Sequence, residues 1–423
     1  MSFRFVHAAD LHLDTPFQGI GQVNPAVQAA LRDASLDAFD RLIQLCIDEE
    51  AAFLLLAGDL YDGADRGVRA QLRVRAGLER LSALGIQTFI IHGNHDPMNG
   101  WSAIRAWPPG VHIFSSTDVE QREAIQDGAT LATIYGMSYP KRDVTENLAL
   151  RYRRDPLAKG VQIGLLHCTV ETVAEHDAYS PCELNDLRAV GLDYWALGHI
   201  HARRILNQGQ PWVVYPGNLQ GRSLKPSEQG PKGAYVVEVD GQIVTAPRFV
   251  ALDNIRFLAV DLAITDLIDL AAVRTALNER VESLRVENAG RGLLLRAHLS
   301  GRGSVHPDLQ RIGALSGLLR ELQGDAQGHE PFVWWTAIRD DSKSDLVREA
   351  IRLRGDFAAE LIAVSDTAVT DDALRRKLQA CLETPTFLRS VLAGAPPEKF
   401  DWDALIADAD AVALDLLETG SAR

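Results

Sequence analysis

The sequence has little cysteine, and none of it is arranged as a metal knuckle or redox motif. Its 423 residues include 4 cysteines, which are the widely spaced Cys46, Cys168, Cys182 and Cys381. These cysteines form no CxxC pair, so neither a zinc knuckle nor a disulfide scaffold is indicated. Isolated cysteines are typical of a reducing compartment, and we expect a cytoplasmic protein.

Long apolar runs are also absent. A membrane-spanning helix needs roughly 18 or more consecutive apolar residues, and no stretch approaches that length. The first residues, MSFRFVHAADLHLDTPF, already contain Asp10 and His12 and lack the apolar run of a secretory signal peptide. We therefore expect a soluble protein that does not associate with a membrane.

Positive charge is scarce. The chain has 43 Lys and Arg residues against 57 Asp and Glu residues, which gives a formal net charge of -14. A protein that binds nucleic acid through a broad basic face has the opposite balance. A polyanionic substrate must therefore be held by a local basic patch, by metal ions or by a partner subunit.

Short apolar runs alternate with helix-like segments up to about residue 250. The runs are FRFVHAAD, AFLLLAGD, QTFIIHGN, TLATIYGM, VQIGLLHC and DYWALGHI. Runs of this kind are typical of buried strands, so residues 1–250 are predicted to form an α/β sandwich. Asn24 followed by Pro25 predicts the start of a helix, and Asp240-Gly241 predicts a type I′ hairpin turn.

Two further regions follow the sandwich. Residues 256–342 alternate as β-α-β-α-β, with helices expected near 269–287 and 308–322, and are predicted to form a small α+β domain. Residues 343–423 are helix-like. Apolar residues recur at helical spacing near the end of this region, at Trp402, Leu405, Ile406, Ala409, Val412 and Leu416. That helix is expected to pack on its own domain, and docking onto a partner is the alternative.

Five of the six predicted strands lead into residues that can bind a metal ion. These are Asp10 and His12 after the first run, Asp59 and Asp62 after the second, Asn94, His95 and Asp96 after the third, His167 at the end of the fifth, and His199 and His201 after the sixth. Because the carboxyl ends of strands in an open α/β sheet face one crevice, we expect these side chains to meet. A single polar residue at a strand end more often belongs to a turn or caps a helix. Five strand ends that all carry metal-binding residue types predict a shared site.

The donor types indicate two metal ions. The ligand pool is Asp10, His12, Asp59, Asn94, His167, His199 and His201, and it contains no thiolate. Mixed oxygen and nitrogen donors suit Mn²⁺, Fe or Zn²⁺ better than Ca²⁺ or Mg²⁺. Seven ligands exceed one tetrahedral site, and two ions about 3.5 to 4 Å apart can clamp a phosphate and activate water for in-line displacement. One carboxylate must then bridge the ions, and Asp59, on a central strand, is the natural candidate.

The motifs DLH (10–12), GDLYD (58–62), GNHD (93–96), the isolated His167 and GHIH (198–201) resemble, in order and spacing, those of the calcineurin-like metallophosphoesterases. Within this superfamily the sequence looks like the DNA repair nucleases of the SbcD type. It looks more closely like the YhaO-type exonuclease branch, through ADLHLDTPFQGI and YPGNLQGRSLKPSEQGPKGAYVVEVDG. The resemblance implies a four-layer α/β/β/α sandwich, a small α+β capping domain and a helical C-terminal segment.

The resemblance also implies roles for individual residues. One ion would be held by Asp10, His12, Asp59 and His201, and the other by Asp59, Asn94, His167 and His199. His95 would contact the scissile phosphate and stabilise or protonate the leaving oxygen. Asp62 would orient His95, although some repair nucleases have a second histidine at this position. Asp96 would support the ligand sphere or cap the loop.

The activity implied by the resemblance is a Mn²⁺-dependent DNA exonuclease that can also act as a single-strand endonuclease. The implied partners are DNA ends, a coiled-coil ATPase of the SbcC or YhaN type docking on the C-terminal helices, and a second copy of the chain in a homodimer. Phosphoprotein phosphatases have Arg-Gly after the position of Asp62, whereas Gly63 and Ala64 follow it here. This departure counts against a phosphoprotein phosphatase.

Two alternatives to the nuclease remain open. The first is a phosphodiesterase or phosphatase that acts on nucleotides or other small phosphoesters. The second is a non-enzymatic scaffold, against which the complete set of ligand residues argues. Five basic residues after the last motif are candidates for contact with a nucleic-acid backbone and are equally well explained as a solvated loop: Arg203, Arg204, Arg222, Lys225 and Lys232.

Overall fold

The computed structural model describes residues 2–17, 19–20, 23–63, 67–171, 178–346, 348–371, 373–374, 376–377 and 401–420. In chain order its strands are β1 (Ser2–Ala8), β2 (Phe53–Ala57), β3 (Gln87–Ile91), β4 (Val111–Ile113), β5 (Glu120–Gln126), β6 (Ala129–Gly136), β7 (Val161–His167), β8 (Tyr194–Gly198), β9 (Arg204–Asn207), β10 (Trp212–Tyr215), β11 (Gly233–Asp240), β12 (Ile243–Val244), β13 (Arg248–Ala251), β14 (Ile255–Ala263), β15 (Gly292–Ser300), β16 (Arg302–Gly303), β17 (Val333–Asp340) and β18 (Lys343–Ser344). The helices are α1 (Pro25–Asp48), α2 (Val68–Ala83), α3 (Leu184–Val190), α4 (Leu270–Glu287), α5 (His306–Leu309), α6 (Ala314–Asp325), α7 (Arg348–Arg352), α8 (Phe357–Thr370) and α9 (Trp402–Gly420). No helix among the described residues is long and apolar enough to cross a bilayer.

The chain divides into two compact units. The first comprises Met1–Ala259, Leu284–Leu295 and Ala326–Thr336, and the second comprises Val260–Ser283, Arg296–Asp325 and Ala337–Arg423. The domain boundaries expected from the sequence stay predictions. Part of the predicted helical C-terminal region, at 378–400, lies outside the described residues.

The first unit contains two large sheets. One has the strand order β12-β11-β1-β2-β3-β4, with β13 paired to β11, and the other has the order β5-β6-β7-β8-β10-β9. Strands β1 to β4 run parallel to one another, and so do β6, β7, β8 and β10. Each sheet therefore presents the carboxyl ends of several neighbouring strands at one edge.

Three apolar clusters hold these sheets and their helices in four layers. Helices α1 and α2 cover one sheet through residues such as Phe39 and Leu78. A second cluster lies between the sheets, where the rings of Phe5 and Phe53 stack with centroids 5.1 Å apart. A third cluster covers the far face of the other sheet and includes Leu187 of α3. The predicted α/β/β/α sandwich is confirmed.

The start of α1 follows the sequence prediction, whereas the hairpin turn does not. Asn24 accepts a hydrogen bond from the backbone N of Val27 at 2.9 Å, and Pro25 occupies the first turn of the helix. Asp240, however, pairs with Ile243, so the turn residues are 241 and 242. The predicted Asp240-Gly241 turn is wrong by one residue, because the pairing of β11 with β1 extends to Asp240 and keeps it in the strand.

The predicted β-α-β-α-β succession is present as β14, α4, β15, α6 and β17, and its strands form a three-stranded sheet in the order β14-β15-β17. The single helix expected near 308–322 is instead two helices, α5 and α6. Gly313 lies between them with φ +84, a left-handed conformation that interrupts a helix. At the C-terminal end, α9 packs on α8 through a small cluster that includes Ile362 and Leu414.

Candidate metal centre

The strand ends bring the predicted ligand residues of the two sheets together. Asp10 and Asp59 follow the neighbouring parallel strands β1 and β2, and His167 is the last residue of β7 in the other sheet. The Nδ1 atom of His167 donates to the backbone O of Ala57 at 2.9 Å, which links the two sheets at this edge. Convergence of residues that are far apart in the chain is thus a consequence of parallel strand order.

The first group of ligand atoms comes from Asp10, His12 and His201, all within 4.8 Å of one another. The Nε2 atoms of His12 and His201 are 3.1 Å apart. Burial, followed by the charges of Arg222 and His201, lowers the pKa of His12 well below its ordinary value, so its ring is neutral. Two imidazole nitrogens that face each other beside a buried carboxylate fit a shared cation.

The second group comes from Asp10, Asp59 and His167. Because the Nδ1 atom of His167 donates to a carbonyl, its Nε2 atom is directed at other groups, namely Asn94 Oδ1 at 2.9 Å and Asp59 Oδ2 at 3.4 Å. Burial acts to lower the pKa of His167, but the Asp59 carboxylate outweighs it and raises that pKa to about 9. This cluster of oxygen acceptors therefore favours a positive charge, carried by a proton or by a metal ion.

Asp59 is a member of the second group and also lies close to His12 of the first, while Asp10 belongs to both groups. Its Oδ2 atom is 3.8 Å from His12 Nε2 and 3.4 Å from His167 Nε2, and its Oδ1 atom accepts from the backbone N of His95 at 2.9 Å. Burial acts to raise the pKa of Asp59, but the neighbouring His167 outweighs it and holds that pKa well below the ordinary value. An ionised carboxylate in this place has the position that a bridging ligand requires.

Among the described residues, His199 lies beside these two groups and belongs to neither. Its ring centroid is 5.3 Å from that of His167 and 5.5 Å from that of Tyr179. Its backbone N donates to Asp10 at 2.9 and 3.1 Å. The structure therefore places His199 at the edge of the cluster, where its backbone also orients Asp10.

His95 and Asp62 form the pair that the resemblance implies. The Nδ1 atom of His95 is hydrogen-bonded to Asp62 Oδ1, and Arg222 Nη1 donates to Asp62 Oδ2 at 3.1 Å. Burial acts to lower the pKa of His95, but the bond to Asp62 outweighs it and the pKa is raised. The structure thus adds Arg222 to the pair and favours the protonated, cationic form of His95.

Five basic residues follow the last motif, and the alternative that they lie on a solvated loop is wrong for two of them. Arg222 is paired with Asp62, with its side chain 18% exposed. Lys232 is buried and donates its Nζ hydrogens to the backbone O of His201, at 2.9 Å, and to that of Ser227. Burial lowers the pKa of Lys232 to about 8. Both residues belong to the segment that supports His201.

Backbone strain and close packing are concentrated at the same place. Asp10, His12, Asp59 and His199 have φ values of 52°, 42°, 51° and 102°, a region that costs non-glycine residues about 1 kcal/mol or more each. The motif glycines are required by the space available. A Cβ on Gly93 would lie 2.3 Å from Asp59 Oδ1. The surrounding fold therefore holds these candidate ligand residues in conformations that the chain alone would not favour.

Three further residues support the candidate ligands in ways that the sequence motifs do not show. Glu228 accepts from His201 Nδ1 at 2.6 Å, and Tyr139 donates its hydroxyl to the backbone O of His167 at 2.6 Å. Asp96 accepts from the backbone N of Leu60 at 3.0 Å and of Gly93 at 2.9 Å, so it joins two ligand loops. Glu228 lies 27 positions after His201, and no spacing rule in the sequence connects the two.

A cavity of about 530 Å³ opens on this cluster. It is lined by Asp59, His95, His199, His201, Arg222, Lys225, Pro226, Ser227 and Glu228. This volume is in the range of small-molecule sites, and Arg222 and Lys225 add positive charge to its wall. A larger cavity of about 1030 Å³ is lined by other residues, none of them a predicted ligand.

The fold and the donor set define a class of protein, the metal-dependent phosphoesterases. The family model described as Calcineurin-like phosphoesterase matches residues 3–203, and that of the metallophosphoesterase YhaO middle domain matches residues 257–343. The metallophosphoesterase YhaO of Bacillus subtilis (strain 168) is 36% identical to the chain over 342 residues, which cover 81% of the chain and 82% of YhaO. The chain belongs to the calcineurin-like metallophosphoesterase family, and it is therefore a hydrolase of phosphoesters.

Two more distant relatives have names that refer to nucleases or DNA repair. The DNA double-strand break repair protein Mre11 of Sulfurisphaera tokodaii is 27% identical over 214 residues, covering 49% of the chain and 54% of Mre11. The SbcD component of the nuclease SbcCD of Bacillus subtilis is 23% identical over 252 residues, covering 51% of the chain and 61% of SbcD. The chain thus spans little more than half of these two relatives, which support the DNA repair exonuclease branch.

Proposed function

We propose that the protein is a two-metal DNA phosphodiesterase, a Mn²⁺-dependent exonuclease with single-strand endonuclease activity, acting on DNA ends in the cytoplasm. The observation that carries the proposal is the position of Asp59 Oδ2 between His12 of the first group and His167 of the second, next to the pair formed by His95 and Asp62. The similarity to Mre11 and to the SbcD component of SbcCD supports DNA as the substrate.

The proposed ligand sets are those that the family resemblance implies, and the two groups support them in part, since Asp10 belongs to both groups and His199 to neither. Asp10, His12, Asp59 and His201 would hold one ion, and Asp59, Asn94, His167 and His199 would hold the other. Two divalent ions supply Lewis acidity when bound, because they neutralise charge on phosphate oxygens and lower the pKa of water so that it attacks at neutral pH. Manganese is proposed on the family resemblance, and the set of carboxylate, amide and imidazole donors without a thiolate is compatible with manganese, iron or zinc.

The chain's own groups complete the proposed reaction. His95, cationic through its bond to Asp62, would donate a proton or a hydrogen bond to the leaving oxygen. Asp62 keeps the ring of His95 oriented, and Arg222 keeps Asp62 in place. Arg222 and Lys225 line the cavity and would offset the negative charge of a bound phosphate. A protein with a net negative charge needs such basic residues at the site where it binds phosphate.

The function is tested by supplying DNA and a small phosphodiester to the same preparation. With Mn²⁺, end-labelled linear duplex and single-stranded DNA are expected to be degraded, and a chelator is expected to stop the reaction, since the Lewis acidity is lost. Gel analysis of the labelled products measures both. A preparation that hydrolyses a chromogenic phosphodiester in Mn²⁺ but leaves both DNA substrates intact would identify an enzyme of nucleotides or other small phosphoesters instead.

We also propose that a coiled-coil ATPase of the SbcC or YhaN type docks on the C-terminal helices. Helix α9 turns Ile406 and Leu414 inward, whereas Leu405, Val412 and Leu416 are exposed. The exposed three recur at i, i+7 and i+11, so they lie along one face of the helix. An exposed apolar face of this kind is typical of a docking surface.

Replacing Val412 with Asp is expected to weaken binding of such an ATPase at least tenfold, because a charge would be desolvated in the interface. Co-elution of the two purified proteins from the same organism in size-exclusion chromatography measures this. Asp403→Asn, an exposed change in the first turn of α9, is the control. Equal binding by wild type and Val412→Asp would place the docking surface elsewhere.

The homodimer implied by the sequence resemblance stays a prediction.

A further inference from the structure

The carboxylate of Glu228 is buried beside His201 and has three hydrogen-bond partners. Glu228 ends the short 3-10 turn Pro226–Glu228 and is 5% exposed. Its Oε1 atom accepts from His201 Nδ1 at 2.6 Å. Its Oε2 atom accepts from Asn218 Nδ2 at 2.7 Å and from the backbone N of Arg222 at 3.0 Å. An ionised carboxylate is the one form of this side chain that accepts from all three.

We propose that Glu228 is a positioning residue of the metal centre. By accepting from Nδ1 of His201, it keeps the proton on that nitrogen and leaves the lone pair on Nε2, which faces His12 Nε2 at 3.1 Å. Histidine ligands in metal sites are commonly oriented by a carboxylate in this way. The inference rests on the metal centre of the proposed function and is independent of which phosphoester is cleaved.

The same carboxylate also supports the pair that would act on the substrate. The backbone of Arg222 is held by Glu228, and the guanidinium of Arg222 donates to Asp62, which is bonded to His95. Glu228 is thus joined to a metal ligand on one side and, through Arg222, to Asp62 and His95 on the other. A change at Glu228 is expected to affect metal binding first and the orientation of Asp62 second.

Glutamine has the size of glutamate but cannot satisfy these partners. If its oxygen faces Asn218 and Arg222, its amide NH₂ faces His201 Nδ1, and the proton of the imidazole moves to Nε2, where a metal ion can no longer bind. If its oxygen faces His201 instead, the NH₂ group meets two other donors in a buried place. Either orientation weakens the site that contains His201 while leaving Asn94 and His167 untouched.

Calorimetric titration of the full-length metal-free protein with Mn²⁺ tests the proposal. Wild type is expected to bind two ions. Glu228→Gln is expected to bind one ion with wild-type affinity and the other about 10- to 100-fold more weakly. Glu238→Gln, a matched change on the exposed face of β11, is the control and is expected to bind both ions normally. A role in packing alone would lower the melting temperature without separating the two affinities.

The outcomes separate this inference from the proposed function. Wild type that binds fewer than two ions contradicts the two-metal proposal itself. If wild type and Glu228→Gln bind two ions with equal affinities, Glu228 does not position His201. Should Glu228→Gln not fold, Glu228→Asp decides: it keeps the charge but draws the carboxylate back by one methylene, and it is expected to bind one ion more weakly than wild type does and the other with wild-type affinity. Wild-type affinity at both sites of Glu228→Asp would then overturn the inference.

Discussion

Replacing His95 with Gln is expected to lower the rate of phosphodiester hydrolysis by about 10²- to 10⁴-fold, the contribution typical of a positioned acid or base. The reason is the place of the ring: it lines the cavity beside Asp59, and its Nδ1 atom is held by Asp62. Glutamine can fill the space but cannot deliver a proton. Steady-state kinetics on end-labelled DNA and on a small phosphodiester, both with Mn²⁺, measure the change.

The expected loss is one of chemistry and not of metal binding. His95→Gln is therefore expected to bind two ions as wild type does, in the same calorimetric titration. His112→Gln is a matched control, because His112 is a half-buried histidine on β4 that is bonded to Glu120 and does not line the cavity. Wild-type rates from His95→Gln would remove His95 from the reaction. A loss of ions in this variant would make His95 a ligand instead of an acid.

Replacing Asp59 with Asn is expected to weaken both ions together and to lower activity by about 10⁴-fold. Metal ions supply several kcal/mol of transition-state stabilisation, and each 1.4 kcal/mol is a factor of about ten. The Oδ2 atom of Asp59 lies between His12 and His167, so the missing charge is felt by both proposed sites. Mn²⁺ titration together with hydrolysis rates measures the two effects.

The chain offers a closely matched control for this change. Asp127 lies in the exposed turn between β5 and β6 with φ 52°, and Asp59 has φ 51°. Asparagine adopts this left-handed conformation readily, so neither substitution adds backbone strain. Asp127→Asn is expected to keep both ions and full activity. If Asp59→Asn lost one ion and kept the other with wild-type affinity, Asp59 would not be a bridging ligand.

The carboxylate of Glu228 is bonded, directly or through Arg222, to several of the residues in these predictions. His201 is held by Glu228, and Asp62 is held by Arg222, whose backbone is bonded to the same carboxylate. The candidate ligand His201 and the pair of His95 and Asp62 therefore share one buried support. This arrangement explains how a chain with a net charge of -14 can carry a phosphate site, because its few basic residues are placed by specific bonds rather than spread over a face.

Much of the fold could be predicted from local features of the sequence. Asn24 and Pro25 mark the start of α1 because capping depends on neighbours within one turn. Two local predictions failed where longer-range pairing or a single glycine decided the result. The register of β11 against β1 moved the hairpin turn to residues 241 and 242, and Gly313 separated α5 from α6. Neither failure changes the order of the strands that carry the candidate ligands.

The sequence by itself determined the family, the sandwich and the residues at the strand ends, because buried parallel strands are short apolar runs and their carboxyl ends meet at one edge. Only the tertiary structure placed Asp59 between His12 and His167, gave Asp10 and His12 their left-handed backbone, and brought Glu228 to His201. A hydrogen bond between residues far apart in the chain has no signature in local pattern. It exists because the folded sheets bring the two segments to one place.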